Sequence, residues 1–213
     1  MSIAVDVQGP SVVKPYTQKF GVTFPVAVDS ADVFGQAFGL KAIPVTFLVD
    51  EVGIIRLRGG GPNAELLQQI ESVLGEPLSK TRGAAPQLAS TRSREELEST
   101  LGRTPDDRRA RLALARLYDA EARFSDAISE LEAAARVQPR EASVLFLWGL
   151  VLLHQNERDG ALAKLKAARD LDPENWRIHK QIWAIEHPDK FYTGESPDFG
   201  WQKEELRREK QAR

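Results

Sequence analysis

The chain of 213 residues contains no cysteine. That removes disulfides, thiolate metal sites and every mechanism with a cysteine nucleophile from these residues. Histidine is scarce: His154, His179 and His187 are the three present, and no two stand four apart, as two ligands on one helical face would. Surface or helix-end roles are therefore expected for them. No apolar run approaches the ~20 residues that span a bilayer. The opening Met1-Ser2-Ile3-Ala4-Val5-Asp6 lacks the charged and apolar regions of a signal peptide. Neither sign of charge dominates, with 29 Lys and Arg against 31 Asp and Glu. No global field then invites nucleic acid or an anionic membrane. The expectation is a chain with no metal, no cofactor, no nucleic-acid partner and no membrane insertion of its own.

What is present divides in two. Residues 1–78 hold most of the β-branched residues and the glycine and proline punctuation, with 5 basic against 8 acidic residues. Residues 104–188 are rich in Ala, Leu, Arg and Glu, the composition of packed helices. Glu76 through Ser90, with Gly83-Ala84-Ala85-Pro86, cannot build a buried face and reads as a linker.

In the first part, Ile3–Val7 reads as a strand closed by Gly9-Pro10. Ser11 is expected to cap a helix running to Phe20, with Gly21 stopping it. Phe24–Val28 reads as extended. Asp29 or Ser30 then caps a short helix with Val33, Phe34 and Phe38 on one face. Val45–Val49 and Ile54–Arg58 flank the turn Asp50–Gly53 and read as a hairpin. Asn63 caps a last helix whose apolar face is Leu66, Leu67, Ile70, Val73 and Leu74. Gly59-Gly60-Gly61-Pro62 precedes it without the Lys and Ser/Thr of a phosphate loop, so it reads as a flexible connection.

The second part repeats. A shift of 34 residues aligns Tyr118 with Leu152, Ala127 with Ala161, Leu131 with Leu165, Ala134 with Ala168 and Pro139 with Pro173. That period, with small residues where two helices approach and proline ending the second helix, is similar to the tetratricopeptide (TPR) repeats. Units are expected at 108–141 and 142–175, after a degenerate half-repeat near 93–101. A capping helix over 175–187 with Ile178, Ile182 and Ile185 on one face would seal the stack. Residues 188–213 read as a C-terminal extension whose aromatics, Phe191, Tyr192, Phe199 and Trp201, could fold back over that cap.

At Ala42-Ile43-Pro44-Val45-Thr46-Phe47-Leu48-Val49-Asp50 the first part resembles the thioredoxin-like redoxins. The nearest kinds are the TlpA/ResA-type thiol–disulfide oxidoreductases and the alkyl hydroperoxide reductase/thiol-specific antioxidant group. Gly21-Val22-Thr23-Phe24-Pro25-Val26, Val28-Asp29 and Phe38-Gly39-Leu40 fit the same pattern. The resemblance covers residues 1–75 and implies a cis proline at Pro44, in a loop of Ile43, Pro44, Val45 and Thr46. In such proteins that loop lies beside a Cys-x-x-Cys, whose strand would precede Ile3. Thiol–disulfide exchange needs a thiolate, so this chain is expected to be inactive by itself. The missing strand is central in the family's sheet, which suggests an N-terminally incomplete domain. The compartment is then cytoplasmic as written, and periplasmic or membrane-anchored if a segment is missing.

The expected fold is α/β plus all-α: a partial thioredoxin-like domain at 1–75, a linker at 76–92 and a TPR-like array at 93–187. Arg108, Arg109, Arg111 and Arg116 form a basic run near the first repeat helix. Either it is a solvated face balanced by Glu95, Glu96 and Glu98, or it holds an acidic peptide on the face lined by the first helices of the repeats. Arg108, Arg111, Tyr118 and Trp148 are the candidates for such a face, with a protein or peptide as partner. Trp148, Trp176 and Trp183 are otherwise expected to pack. Two functions follow: a redoxin-family protein with interaction repeats and no catalytic cysteines here, or a non-enzymatic TPR scaffold with a degenerate redoxin portion.

Overall fold

The computed structural model describes residues 1–5, 9–30, 32–40, 43–51, 53–61, 63–75, 92–191 and 198–211. Residues 76–91 of the linker expected over 76–92, with Val7, Ala42, Pro62 and Tyr192, lie outside the described residues. The chain forms two compact units, Met1–Lys41 with Arg94–Arg213, and Ala42–Ser93.

The first unit opens with β1 (Ser2–Ala4), α1 (Pro10–Lys19), β2 (Val26–Val28) and α2 (Val33–Ala37). β1 and β2 pair in parallel, Ser2 opposite Val26 and Ala4 opposite Val28. Ser11 does not cap α1. Gly9, at φ 82°, is the N-cap and Pro10 opens the first turn, because proline lacks the N–H that would be left without a partner there. Asp29 caps α2: its carboxylate accepts from the N–H groups of Val33 at 2.7 Å, Phe34 at 2.8 Å and Gly35 at 3.1 Å. Phe34 stacks on Phe38, ring centroids 4.3 Å apart.

The second unit holds β3 (Thr46–Val49), β4 (Ile55–Gly59) and α3 (Ala64–Leu74). β3 and β4 form an antiparallel hairpin with a register shift between Leu48 and Val49. Its turn is closed by the Asp50 side chain, which accepts from the Ile54 N–H at 2.9 Å, and by Gly53 at φ 85°, a conformation glycine adopts without steric cost. Asn63 caps α3, its Oδ1 accepting from the Leu66 N–H at 2.8 Å. The expected five-residue apolar face is only partly covered. Leu66 packs against Gly59 and is buried, whereas Leu67 and Leu74 are 54% and 69% exposed. A two-stranded hairpin is too narrow to cover the whole stripe of an eleven-residue helix.

The described strands thus make two separate two-stranded sheets, β1–β2 and β3–β4. The strands at Ile3 and Phe47, which the redoxin pattern sets on either side of a central strand, belong to different sheets here. Each pairs along one edge with a strand close in sequence.

The rest of the first unit is helical: α4 (Arg94–Arg103), α5 (Arg108–Ala120), α6 (Phe124–Val137), α7 (Ala142–His154), α8 (Arg158–Leu171), α9 (Trp176–Glu186) and α10 (Phe199–Gln211). α5–α6 and α7–α8 are successive antiparallel pairs that agree in detail. Their inter-helix turns each place one residue in the left-handed region, Ala122 at φ 57° and Asn156 at φ 66°. Each turn is closed by the same hydrogen bond, Arg123 N–H to the Tyr118 carbonyl and Glu157 N–H to the Leu152 carbonyl, both at 2.8 Å. Ala127, Leu131 and Ala134 of α6 are fully buried, as are their counterparts Ala161, Leu165 and Ala168 of α8. Gly149 of α7 lets the second pair close up: a Cβ there would stand 2.7 Å from Leu165 Cγ and 3.2 Å from the Ala161 carbonyl oxygen. Ala115 takes that place in the first pair and is likewise buried.

α9 seals the stack with Ile178, Ile182, Trp183 and Ile185, packed with Phe146, Leu150 and Leu165. α10 then covers α9. Trp201 meets Trp183 edge-on with centroids 5.9 Å apart, and the Trp183 indole N–H donates to Glu209 Oε1 at 2.8 Å. His179 is not a surface residue. It is 1% exposed, with Nδ1 2.8 Å from Glu209 Oε2 and Nε2 2.9 Å from the Pro173 carbonyl oxygen. Burial of an imidazole needs polar partners, and those come from a helix end and from α10.

Candidate partner-binding face

The four residues singled out on the repeats all engage the array's own helices. Arg108 Nη1 lies 3.5 Å from Glu141 Oε1 and 3.4 Å from Ser143 Oγ. Arg111 donates to Glu130 Oε2 at 2.7 Å and to the Pro105 carbonyl at 2.9 Å and 2.6 Å. The Tyr118 hydroxyl donates to Glu98 Oε1 at 3.3 Å, and the Arg123 guanidinium lies 4.3 Å from its ring centre. Burial, and secondarily the Glu98 carboxylate, push the Tyr118 phenol above its ordinary pKa. The Lys164 ammonium sits 3.4 Å from the ring centre of Trp148, a cation–π contact. His154 Nδ1 lies 2.9 Å from both carboxylate oxygens of buried Asp119, tying the ends of α5 and α7.

A different set converges on the N-terminal elements. Ser143 of α7 and Arg177 of α9 stand one repeat period apart, so they occupy the same place on successive first helices. Both line a cavity of about 170 Å³ with Phe146, Ile178, Gly35 and Leu40. Arg177 is paired with Asp32, the side chains being 8% and 1% exposed, and its Nη1 donates to the Leu40 carbonyl at 3.0 Å. Burial pushes the Arg177 guanidinium down to about 10, against the pull of Asp29. Arg116 of α5 is also lowered by burial and also feels Asp29. Arg116 stood in the basic run of the sequence. Arg177 did not, because a lone arginine in an Ile- and Trp-rich helix carries no pattern of its own.

At the loop around Pro44 the Ile43–Pro44 peptide bond is cis. Thr46 Oγ1 donates to the Gly60 carbonyl at 3.0 Å, and the Pro44 ring faces Gly61, where a Cβ would stand 2.9 Å from Pro44 Cγ. Ile43 and Pro44 are exposed and Val45 is half-buried. Without a thiol anywhere in the chain, this loop has no sulfur to exchange. Among the described residues no cluster of His, Asp and Glu could hold a metal ion, and no helix is long and apolar enough to cross a membrane.

The paired helices, the repeated turn and the buried alanines define a helical-repeat protein. The tetratricopeptide repeat family model matches residues 112–175, less than a third of the chain, so this segment is a tetratricopeptide-repeat segment. Among curated proteins, the chain is similar to the thiol-disulfide oxidoreductase ResA of Geobacillus thermodenitrificans, 32% identical over 74 residues, 33% of this chain and 42% of that protein. ResA of Geobacillus kaustophilus is 30% identical over the same length. The chain thus spans less than half the length of these relatives. Among solved structures, MamA 41-end from Desulfovibrio magneticus RS-1 aligns with a TM-score of 0.44 and 16% identity over 56% of this chain and 66% of that one. That likeness is too low to define a shared fold.

Proposed function

We propose that this protein is a non-enzymatic interaction scaffold whose tetratricopeptide repeats bind a segment of a partner protein. The observation that carries the reading is the pair of helical hairpins α5–α6 and α7–α8, alike in the closing hydrogen bond of the turn and in the buried Ala, Leu and Ala of the second helix, and sealed by α9. Stacked units of this kind build an extended surface from successive first helices, and such a surface suits a peptide segment. The absence of any thiol rules out thiol–disulfide exchange by these residues. The 74-residue likeness to ResA favours a second element of the reading: the residues around Pro44 keep a redoxin loop as scaffold, not as catalyst.

Two measurements test this. In a thiol-dependent insulin reduction assay the purified protein should stay at the rate without protein. In cross-linking mass spectrometry from its own cells, partner cross-links should fall on α5, α7 and α9. Clear turnover, or partner cross-links confined to residues 43–75, would overturn the scaffold reading.

A further inference from the structure

Within the first unit, one stretch of the chain already occupies the face of the first helices. Residues 29–40 carry two carboxylates three residues apart, Asp29 and Asp32. Asp32 pairs with Arg177, and the Leu40 carbonyl accepts from the same guanidinium. Arg177 also lies over the Phe146 ring, 5.7 Å from its centre. The fit is close: a Cβ on Gly35 would run into both Asp32 Oδ1 and the Arg177 guanidinium. Beside this contact a cavity of about 170 Å³ remains, lined from both sides, by Gly35, Gly39 and Leu40 on one and by Ser143, Phe146 and Ile178 on the other. Elsewhere in the same unit, the Tyr16 hydroxyl of α1 donates to the carbonyl of Phe191, beyond α9, at 3.0 Å.

A buried ion pair of this kind contributes little net stability, because desolvating both charges offsets their attraction. It favours an occupant that brings a carboxylate, the acceptor that binds a guanidinium more strongly than a neutral carbonyl does. The contact also leaves empty space beside it, unlike the close packing between α7 and α8. Charge selectivity combined with incomplete packing suits an exchangeable occupant better than a piece of core.

Building on the scaffold reading, we propose that residues 29–40 are a resident ligand of the repeat array, displaced by a partner segment that presents a carboxylate to Arg177 as Asp32 does. A tethered segment of this length competes at a local concentration on the order of millimolar. Only a partner that matches its chemistry and exceeds it in affinity gains the site.

The test uses the full chain and a fluorescein-labelled peptide of residues 26–40, read by fluorescence anisotropy. Two variants free the site by different routes. Asp32→Asn removes the resident carboxylate. Gly35→Ala adds a methyl that meets both Asp32 Oδ1 and the Arg177 guanidinium, crowding the resident segment off Arg177 while every residue of the array is unchanged, and alanine is at least as good a helix former in α2. Both variants should bind the peptide at least about tenfold more tightly than the unaltered chain. The same peptide with Asp32→Asn should lose about tenfold or more on either variant, a control that leaves the protein's fold untouched. Equal binding by all three chains, or equal binding of both peptides, would overturn the proposal. Should that happen while partner cross-links still fall on α5, α7 and α9, the scaffold reading stands and only the resident-ligand idea fails.

Discussion

α8 and α3 are both amphipathic helices, yet they have met different fates. α8 buries Ala161, Leu165 and Ala168 completely against α7 and α9, its neighbours in sequence. α3 buries Leu66 alone and leaves Leu67 and Leu74 exposed. The difference lies in where the partner surface comes from. A repeat helix finds its cover within one or two turns of chain, so each unit closes on the next. A helix that follows a hairpin needs a sheet, and a two-stranded sheet offers less area than the helix has to hide. Local contacts of the first kind also form at low loop-closure cost.

The comparison should show most strongly in truncations of the repeat core. Leu165→Ala, at a fully buried site, should cost about 2–5 kcal/mol, read as a lower urea midpoint for loss of helical circular dichroism. A small effect there would mean that the array is not the stable region. Gly149→Val should cost about 1–3 kcal/mol by overpacking, since even a Cβ meets Leu165 and the Ala161 carbonyl. Ala115→Gly, at the matching place in α5, should be milder, about 1 kcal/mol from helix propensity.

At the sealed end, Glu209→Ala takes the carboxylate from both His179 and the Trp183 indole. Leaving such buried groups without a partner costs about 1–3 kcal/mol, and Trp183 emission should move to longer wavelength as α10 loosens. Unchanged emission would mean that α10 is held by packing alone. At alkaline pH a subtler effect is expected. The Tyr118 phenol is raised above the ordinary value of 10.0, so the folded state holds this proton more tightly than the unfolded state. Its contribution is present below pH 10 and fades as pH climbs through the raised value. Tyr118→Phe should flatten that alkaline decline in the thermal midpoint. The least effect belongs to Leu67→Ala and Leu74→Ala on the exposed side of α3, within about 0.5 kcal/mol. A loss of several kcal/mol at either would show that this face is covered in solution.

Legibility along the chain follows the same division. The repeat was visible as coincidences at one period, Ala127 with Ala161 and Leu131 with Leu165, and those residues are the buried ones. Asp29 and Asn63 were readable as caps, since each bonds backbone a few residues on. Ser11 misled, because Gly-Pro ahead of it starts the helix two residues earlier. His179 misled more deeply, since its partner Glu209 lies 30 residues away on α10, with no periodicity between them. The exposed Leu67 and Leu74 were unreadable too: a stripe says which face is apolar, not how much surface arrives to cover it.

Composition and period alone were enough to set a cysteine-free chain with a helical repeat and to exclude thiol–disulfide exchange by these residues. Those properties depend on residue identity and on contacts between near neighbours. Tertiary structure decided that Arg108, Arg111 and Tyr118 spend their polar groups within the array, and that the Trp148 ring takes up Lys164. It also decided that Arg177, without any motif around it, meets Asp32 across 145 residues of chain. A pairing at that separation depends on how whole helices stack, and burial then gives two isolated charges a specificity that neither has in the sequence.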